Sequence, residues 1–118
     1  MTSLPPSLRG EVDRLKTEVA ALHALLPANG LVVWTAGNVS ARVPGADLLV
    51  IKPSGVLYDQ LTPEAMVVTD FDGNLVEGDR AASSDTFAHG YVYAHMPHVG
   101  GVVHTHSDYA TAWAARHE

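Results

Sequence analysis

Residues 38–56 read NVSARVPGADLLVIKPSGV, and the fold turns on how they are parsed. Residues 38–43 and 48–52 are short runs rich in β-branched and apolar side chains, and they flank Pro44-Gly45-Ala46-Asp47. Two such runs around a turn tetrapeptide predict an antiparallel hairpin. Further on, residues 66–70 and 74–77 flank Asp72-Gly73 and predict a second hairpin. Residues 31–34 read as a strand or the approach to one. Upstream, Leu8, Val12, Leu15, Val19, Leu22 and Leu26 step by four and three alternately, which is one face of an amphipathic helix. Pro5 and Pro6 suit its start, and Pro27 with Asn29-Gly30 marks its end. His23 falls off that stripe and is expected in solvent. Residues 85–95 read as a second helix with Ser83 or Ser84 as its cap. Residues 100–106 read as a buried strand, and a last helix opens near Asp108. The order predicts an α/β fold: a mixed, mostly antiparallel central sheet with helices on both faces, in three α/β/α layers.

The chain has 118 residues, which predicts one domain, and 47% of them are apolar. Its net charge of −6 argues against a nucleic-acid partner, which would require a basic face. Any phosphate site must therefore be built locally, from backbone amides, hydroxyls and a cation. There is no cysteine, so disulfides, thiol catalysis and zinc–thiolate sites are excluded and a metal must be held by His, Asp or Glu. The first ten residues have no signal-peptide pattern, and no apolar run approaches the roughly 18 residues of a membrane span. A cytoplasmic protein with no membrane partner is expected.

His104-Thr105-His106 ends the strand predicted at residues 100–106. Side chains two apart on a strand share a face, with backbones roughly 6.5–7 Å apart, so two imidazoles can converge on one ion. Asp85 opens the preceding helix, and two His with one Asp form a ligand set for zinc or another divalent ion such as manganese. The spacing alone equally suits exposed or core histidines. His89, four residues after Asp85, is a candidate for a ligand or supporting role, whereas His95, His98 and His117 read as surface residues. Three small-residue clusters, Gly37-Asn38, Ser54-Gly55 and Ser83-Ser84, permit close backbone approach and add neutral donors, and Lys52 supplies a charge nearby. Each cluster taken singly is an ordinary turn or cap.

Taken together, four motifs carry a resemblance. Gly37-Asn38-Val39-Ser40, Ile51-Lys52-Pro53-Ser54-Gly55-Val56, Ser83-Ser84-Asp85-Thr86 and Gly100-Gly101-Val102-Val103-His104-Thr105-His106-Ser107 follow the order and spacing of the L-ribulose-5-phosphate 4-epimerases, in the class II aldolase and adducin superfamily. The resemblance runs from about residue 25 to 115. It implies a class II aldolase-like fold. It also implies Asp85, His104 and His106 as metal ligands, and Asn38, Lys52, Ser54, Gly55, Ser83 and Ser84 as the substrate and phosphate pocket. The implied reaction is a metal-dependent retro-aldol epimerisation of a phosphorylated ketopentose, L-ribulose 5-phosphate, to D-xylulose 5-phosphate in arabinose catabolism. The implied assembly is a homotetramer. Asp rather than Glu at position 85, together with Lys52, leans to the epimerases over the aldolases. Fuculose-phosphate-type aldolases, methylthioribulose-phosphate dehydratases and a non-enzymatic adducin-like module are the alternatives. Retention of the three ligand residues weighs against the last. Family members are about twice this length, so the chain reads as the N-terminal half of one domain. A further ligand and the acid–base residues are expected beyond Glu118, and the chain alone is expected to be poorly soluble and inactive.

Overall fold

In a computed structural model of the chain, the described residues are 4–32 and 35–105. The hairpin at the centre of the sequence is also the centre of the sheet. Strand β1 (Asn38–Arg42) pairs with β2 (Leu48–Ile51) around the predicted turn, with Ser40 opposite Ile51 and Arg42 opposite Leu49. Strands β3 (Val67–Asp70) and β4 (Leu75–Glu77) form the second hairpin, where Asp70 accepts hydrogen bonds from the Asp72 and Asn74 amides inside the turn. Strand β5 (Gly101–His104) adds beside β1. The sheet order is β4-β3-β2-β1-β5, and every pairing among the described residues is antiparallel. Strand β5 thus stands at an edge of the described sheet. The last predicted helix and residues 33 and 34 lie outside the described residues.

Alternation along the strands produces two unlike layers. One face of the sheet carries Val43, Val50, Met66 and Val68 against Val12, Leu15, Val19 and Ala20 of helix α1 (Arg9–Ala28). This is ordinary apolar packing, in which each buried Val or Leu contributes roughly 1.5–3 kcal/mol. The helix includes Pro27 and ends at Ala28, with Asn29 as its C-cap, where the predicted stop signals lie. No helix among the described residues is long and apolar enough to cross a membrane.

The opposite face meets helix α2 (Thr86–His95), which buries Thr86, His89, Gly90 and Tyr93 and leaves Phe87 and Tyr91 exposed. Its packing combines Tyr93 on Leu49, Ile51 and Val67 with polar contacts to β1. The Ser40 hydroxyl lies 2.6 Å from both His89 Nδ1 and the Tyr93 hydroxyl. Arg42 donates to the carbonyls of Tyr93, Met96 and Val99, which closes the C-terminal end of α2 with a cation. Gly90 permits close approach, because a Cβ there would stand 2.0 Å from the Phe71 carbonyl oxygen.

The apolar stripe of α1 departs from the predicted one at one place. Leu22 is exposed, and His23 is fully buried. His23 Nδ1 lies 2.8 Å from the Val19 carbonyl, and its Nε2 accepts the Val39 amide at 2.9 Å. The ring is therefore neutral, protonated at Nδ1, and joins α1 to β1. Burial pushes its pKa down to about 4 from the usual 6.5. Between pH 6.5 and 4 the unfolded chain binds the proton that the folded chain refuses. This group's contribution to stability is therefore complete above pH 6.5 and falls by up to about 3 kcal/mol as the pH drops to 4. Replacing His23 by Leu should lower stability at pH 7 by about 1–3 kcal/mol, by stranding the Val39 amide, and should flatten the acid slope. Denaturant titrations at pH 7 and pH 5 test this, and a slope unchanged in His23→Leu would refute it.

Candidate functional site

A cavity of about 330 Å³ opens where β1, β5, the loop after β2 and the start of α2 meet. Backbone pairing across the sequence builds its walls. Ser54 N–H donates to the Ala81 carbonyl at 2.8 Å, and Ser83 N–H donates to the Lys52 carbonyl at 3.0 Å. This short bridge zips the loop at residues 52–55 to the segment leading into α2. Lys52, Ser54 and Gly55 are thereby set against Ser83 and Ser84 along one wall of the cavity. The register of β1 with β5 sets Asn38 opposite His104, so both project on the α2 side. Asp85 stands at the N-cap of α2 between them, where Ser83 Oγ accepts its amide at 3.3 Å.

The sequence candidates therefore come together. Asn38, Lys52, Ser54, Gly55, Ser83, Ser84, Asp85 and His104 all line this one cavity. His106, the remaining candidate, lies outside the described residues. At the centre of the cluster, Asn38 Nδ2 donates to Asp85 Oδ2 at 2.7 Å and to Ser83 Oγ at 3.0 Å. His104 Nδ1 lies 2.8 Å from the same Asp85 oxygen. Burial pushes the Asp85 carboxyl up, but the hydrogen bonds from Asn38 and His104 outweigh it and hold the group below its usual value. Asp85 is therefore ionised near neutrality. Lys52 is almost fully buried, with Nζ donating to the Thr35 carbonyl at 2.5 Å and lying 5.1 Å from the Tyr58 ring centre. Burial lowers its pKa, and Asp85 partly opposes that.

The donor set suits a divalent ion: a carboxylate oxygen and an imidazole nitrogen face one another, and Asn38 orients the carboxylate from behind. Two ligands do not complete a site. Among the described residues, no group of three or more His, Cys, Asp or Glu side chains is arranged to hold a metal. Two further polar atoms are buried without a hydrogen-bond partner, Asn38 Oδ1 and His89 Nε2.

Among the residues around the site, His89 was a sequence candidate for a ligand or supporting role, and the others escaped the sequence reading. His89 is buried beside Asp85 and His104, its pKa pushed down to about 4 by desolvation, and its Nδ1 is engaged by Ser40. Tyr93, Arg42 and Tyr58 complete the same frame. Their one advance signal was the alternation of polar side chains at 38, 40 and 42 along a strand.

Comparison with known proteins gives a consistent set of relatives. The family described as Class II Aldolase and Adducin N-terminal domain matches residues 17–118. The chain is 50% identical over 103 residues to L-ribulose-5-phosphate 4-epimerase UlaF of Salmonella paratyphi C (strain RKS4594), which covers 87% of this chain and 45% of that protein. The chain thus spans about half the length of the curated relatives it matches. Among solved structures, an L-fuculose 1-phosphate aldolase is 32% identical with a TM-score of 0.79, covering 86% of this chain and 48% of that one. The L-fuculose-1-phosphate aldolase of Thermus thermophilus is also 32% identical, with a TM-score of 0.69, covering 84% and 49%.

The Asn38 contact predicts a titration. Asn38→Ala removes a donor from Asp85 and leaves burial less opposed, so the Asp85 carboxyl pKa should rise. Carbon-detected NMR titration of that carboxyl reads the change. An unmoved midpoint would mean that Asn38 does not control the charge of Asp85.

Proposed function

The chain belongs to the class II aldolase and adducin family, and from that premise we propose that it forms the N-terminal half of the catalytic domain of a metal-dependent L-ribulose-5-phosphate 4-epimerase. The observation that carries this reading is the single cavity in which the Asp85–His104 pair meets Lys52 and two serine-bearing loops. The 50% identity to a protein named for that reaction favours it over the aldolases, which are 32% identical.

In this reading Asp85 and His104, joined by His106, hold a divalent ion, zinc or manganese. When bound, such an ion supplies Lewis-acid polarisation of the sugar's oxygens. The chain's own residues do the rest of the binding. Asn38 donates to Asp85, which aims the carboxylate and lowers its pKa against the effect of burial. Ser83 and Ser84 stand at the N-terminal end of α2, where amides and helix dipole favour a phosphate. Ser54 and Gly55 lie beside them in the same cavity lining. Lys52 contributes the balancing charge, held in place by the Thr35 carbonyl and the Tyr58 ring. A phosphorylated ketopentose fits this division, with its phosphate at the serine end and its hydroxyl and carbonyl oxygens at the Asp85–His104 end.

The full-length protein that carries this chain as its N-terminal half, supplied with zinc or manganese, should interconvert L-ribulose 5-phosphate and D-xylulose 5-phosphate faster than it cleaves L-fuculose 1-phosphate. The reverse order would overturn the epimerase assignment. Asp85→Asn should weaken zinc binding at least about tenfold, measured by equilibrium dialysis, since it replaces an anionic ligand by a neutral amide. Lys52→Met should raise KM for the sugar phosphate about tenfold or more with a smaller effect on kcat, because it removes a charge-assisted contact to the non-reacting end. Should KM stay unchanged, Lys52 is not in the substrate site.

A further inference from the structure

The loop at residues 35–37 forms part of the cavity wall, and the side chain that shapes it is not itself in the wall. Tyr58 sits in a short 3-10 turn, Tyr58–Gln60, just beyond the loop that carries Lys52, Ser54 and Gly55. Its ring packs on the small apolar cluster of Leu26, Val32 and Val39. Its hydroxyl donates to the Ala36 carbonyl at 2.6 Å and lies 2.9 Å from the Gly37 carbonyl. A phenol has one proton, so the two oxygens share it.

A peptide unit is trans and planar, so an amide N–H points opposite to the carbonyl of the residue before it. The Ala36 carbonyl is turned to Tyr58, and the Gly37 N–H is therefore turned away from it. Residues 35–37 line the cavity and Tyr58 does not. Gly37 makes this geometry attainable. Its φ is +81°, and a Cβ there would stand 2.3 Å from a Val32 methyl. The phenol is suited to a permanent donor's part, because burial pushes its pKa up to about 12.

We infer that Tyr58 is a positioning residue of the phosphate pocket, holding the loop at residues 35–37 so that the Gly37 amide is presented to the bound anion. Its ring supports Lys52 at the same time, and the hydroxyl and the ring act on different groups. The inference rests on the phosphate reading of the pocket given above.

Tyr58→Phe separates the two parts, because it keeps the ring beside Lys52 and removes the hydroxyl that donates to Ala36 and Gly37. The test is an amide NMR titration, with inorganic phosphate, of the full-length protein that carries this chain. In the unsubstituted chain, phosphate should shift the Gly37 resonance along with those of Ser83 and Ser84. In Tyr58→Phe the Gly37 shift should be lost and the phosphate Kd should rise about tenfold, with the Ser83 and Ser84 shifts retained. In the enzyme assay, KM should rise while kcat holds. If Ser83 and Ser84 respond in the unsubstituted chain but Gly37 does not, this inference is overturned and the phosphate pocket stands. An unchanged Kd in Tyr58→Phe would overturn it in the same way. If no residue lining the cavity responds to phosphate, the pocket reading and this inference fall together.

Discussion

Strand β1 is the constraint on which the rest of the molecule depends. Its residues alternate strictly in character: Val39, Ala41 and the following Val43 are apolar, and Asn38, Ser40 and Arg42 are polar. The apolar set closes the layer against α1, and the polar set grips the other layer at three successive points. Asn38 engages the start of α2, Ser40 its middle, and Arg42 its end. Apolar contacts are non-directional and tolerate sliding. Hydrogen bonds at 2.6–3.0 Å do not, so β1 fixes where α2 begins along its own axis. The position of Asp85 is a consequence of that register.

The same principle bears on how a chain of net charge −6 would shape the anion pocket proposed above. There the positive potential would come from one buried ammonium, the open end of a helix and the amides of tightly turned loops. The nearest acidic group, Asp85, has its charge taken up by Asn38 and His104. Long-range charge is screened within about 10 Å at moderate salt, so the local arrangement outweighs the overall sign.

Much of this was legible in the sequence. Both hairpins follow from turn residues between β-branched runs, and the site candidates other than His106 surround one cavity because their motifs sit at strand ends and a helix start. What was not legible has a common physical cause. His23 sits one residue beyond an exposed Leu22, and periodicity alone assigns the leucine to the core. The decisive term was a backbone amide of β1 that needed an acceptor, and this is a property of the partner strand. Tyr58 and Ser40 escaped for the same reason, since their hydrogen bonds span 21 residues or more of sequence.

One juxtaposition bears on how the site would respond to a ligand. Asp85 belongs to a helix fastened to β1 along its length, and His104 belongs to β5. A ligand held by both would join helix to strand, so part of its binding energy would appear as stability of that junction. Affinity at this site is then a property of how α2 and β5 are placed as much as of donor chemistry. Substitutions along β5 that never touch the ligand, at Val103 for instance, become routes to tuning it.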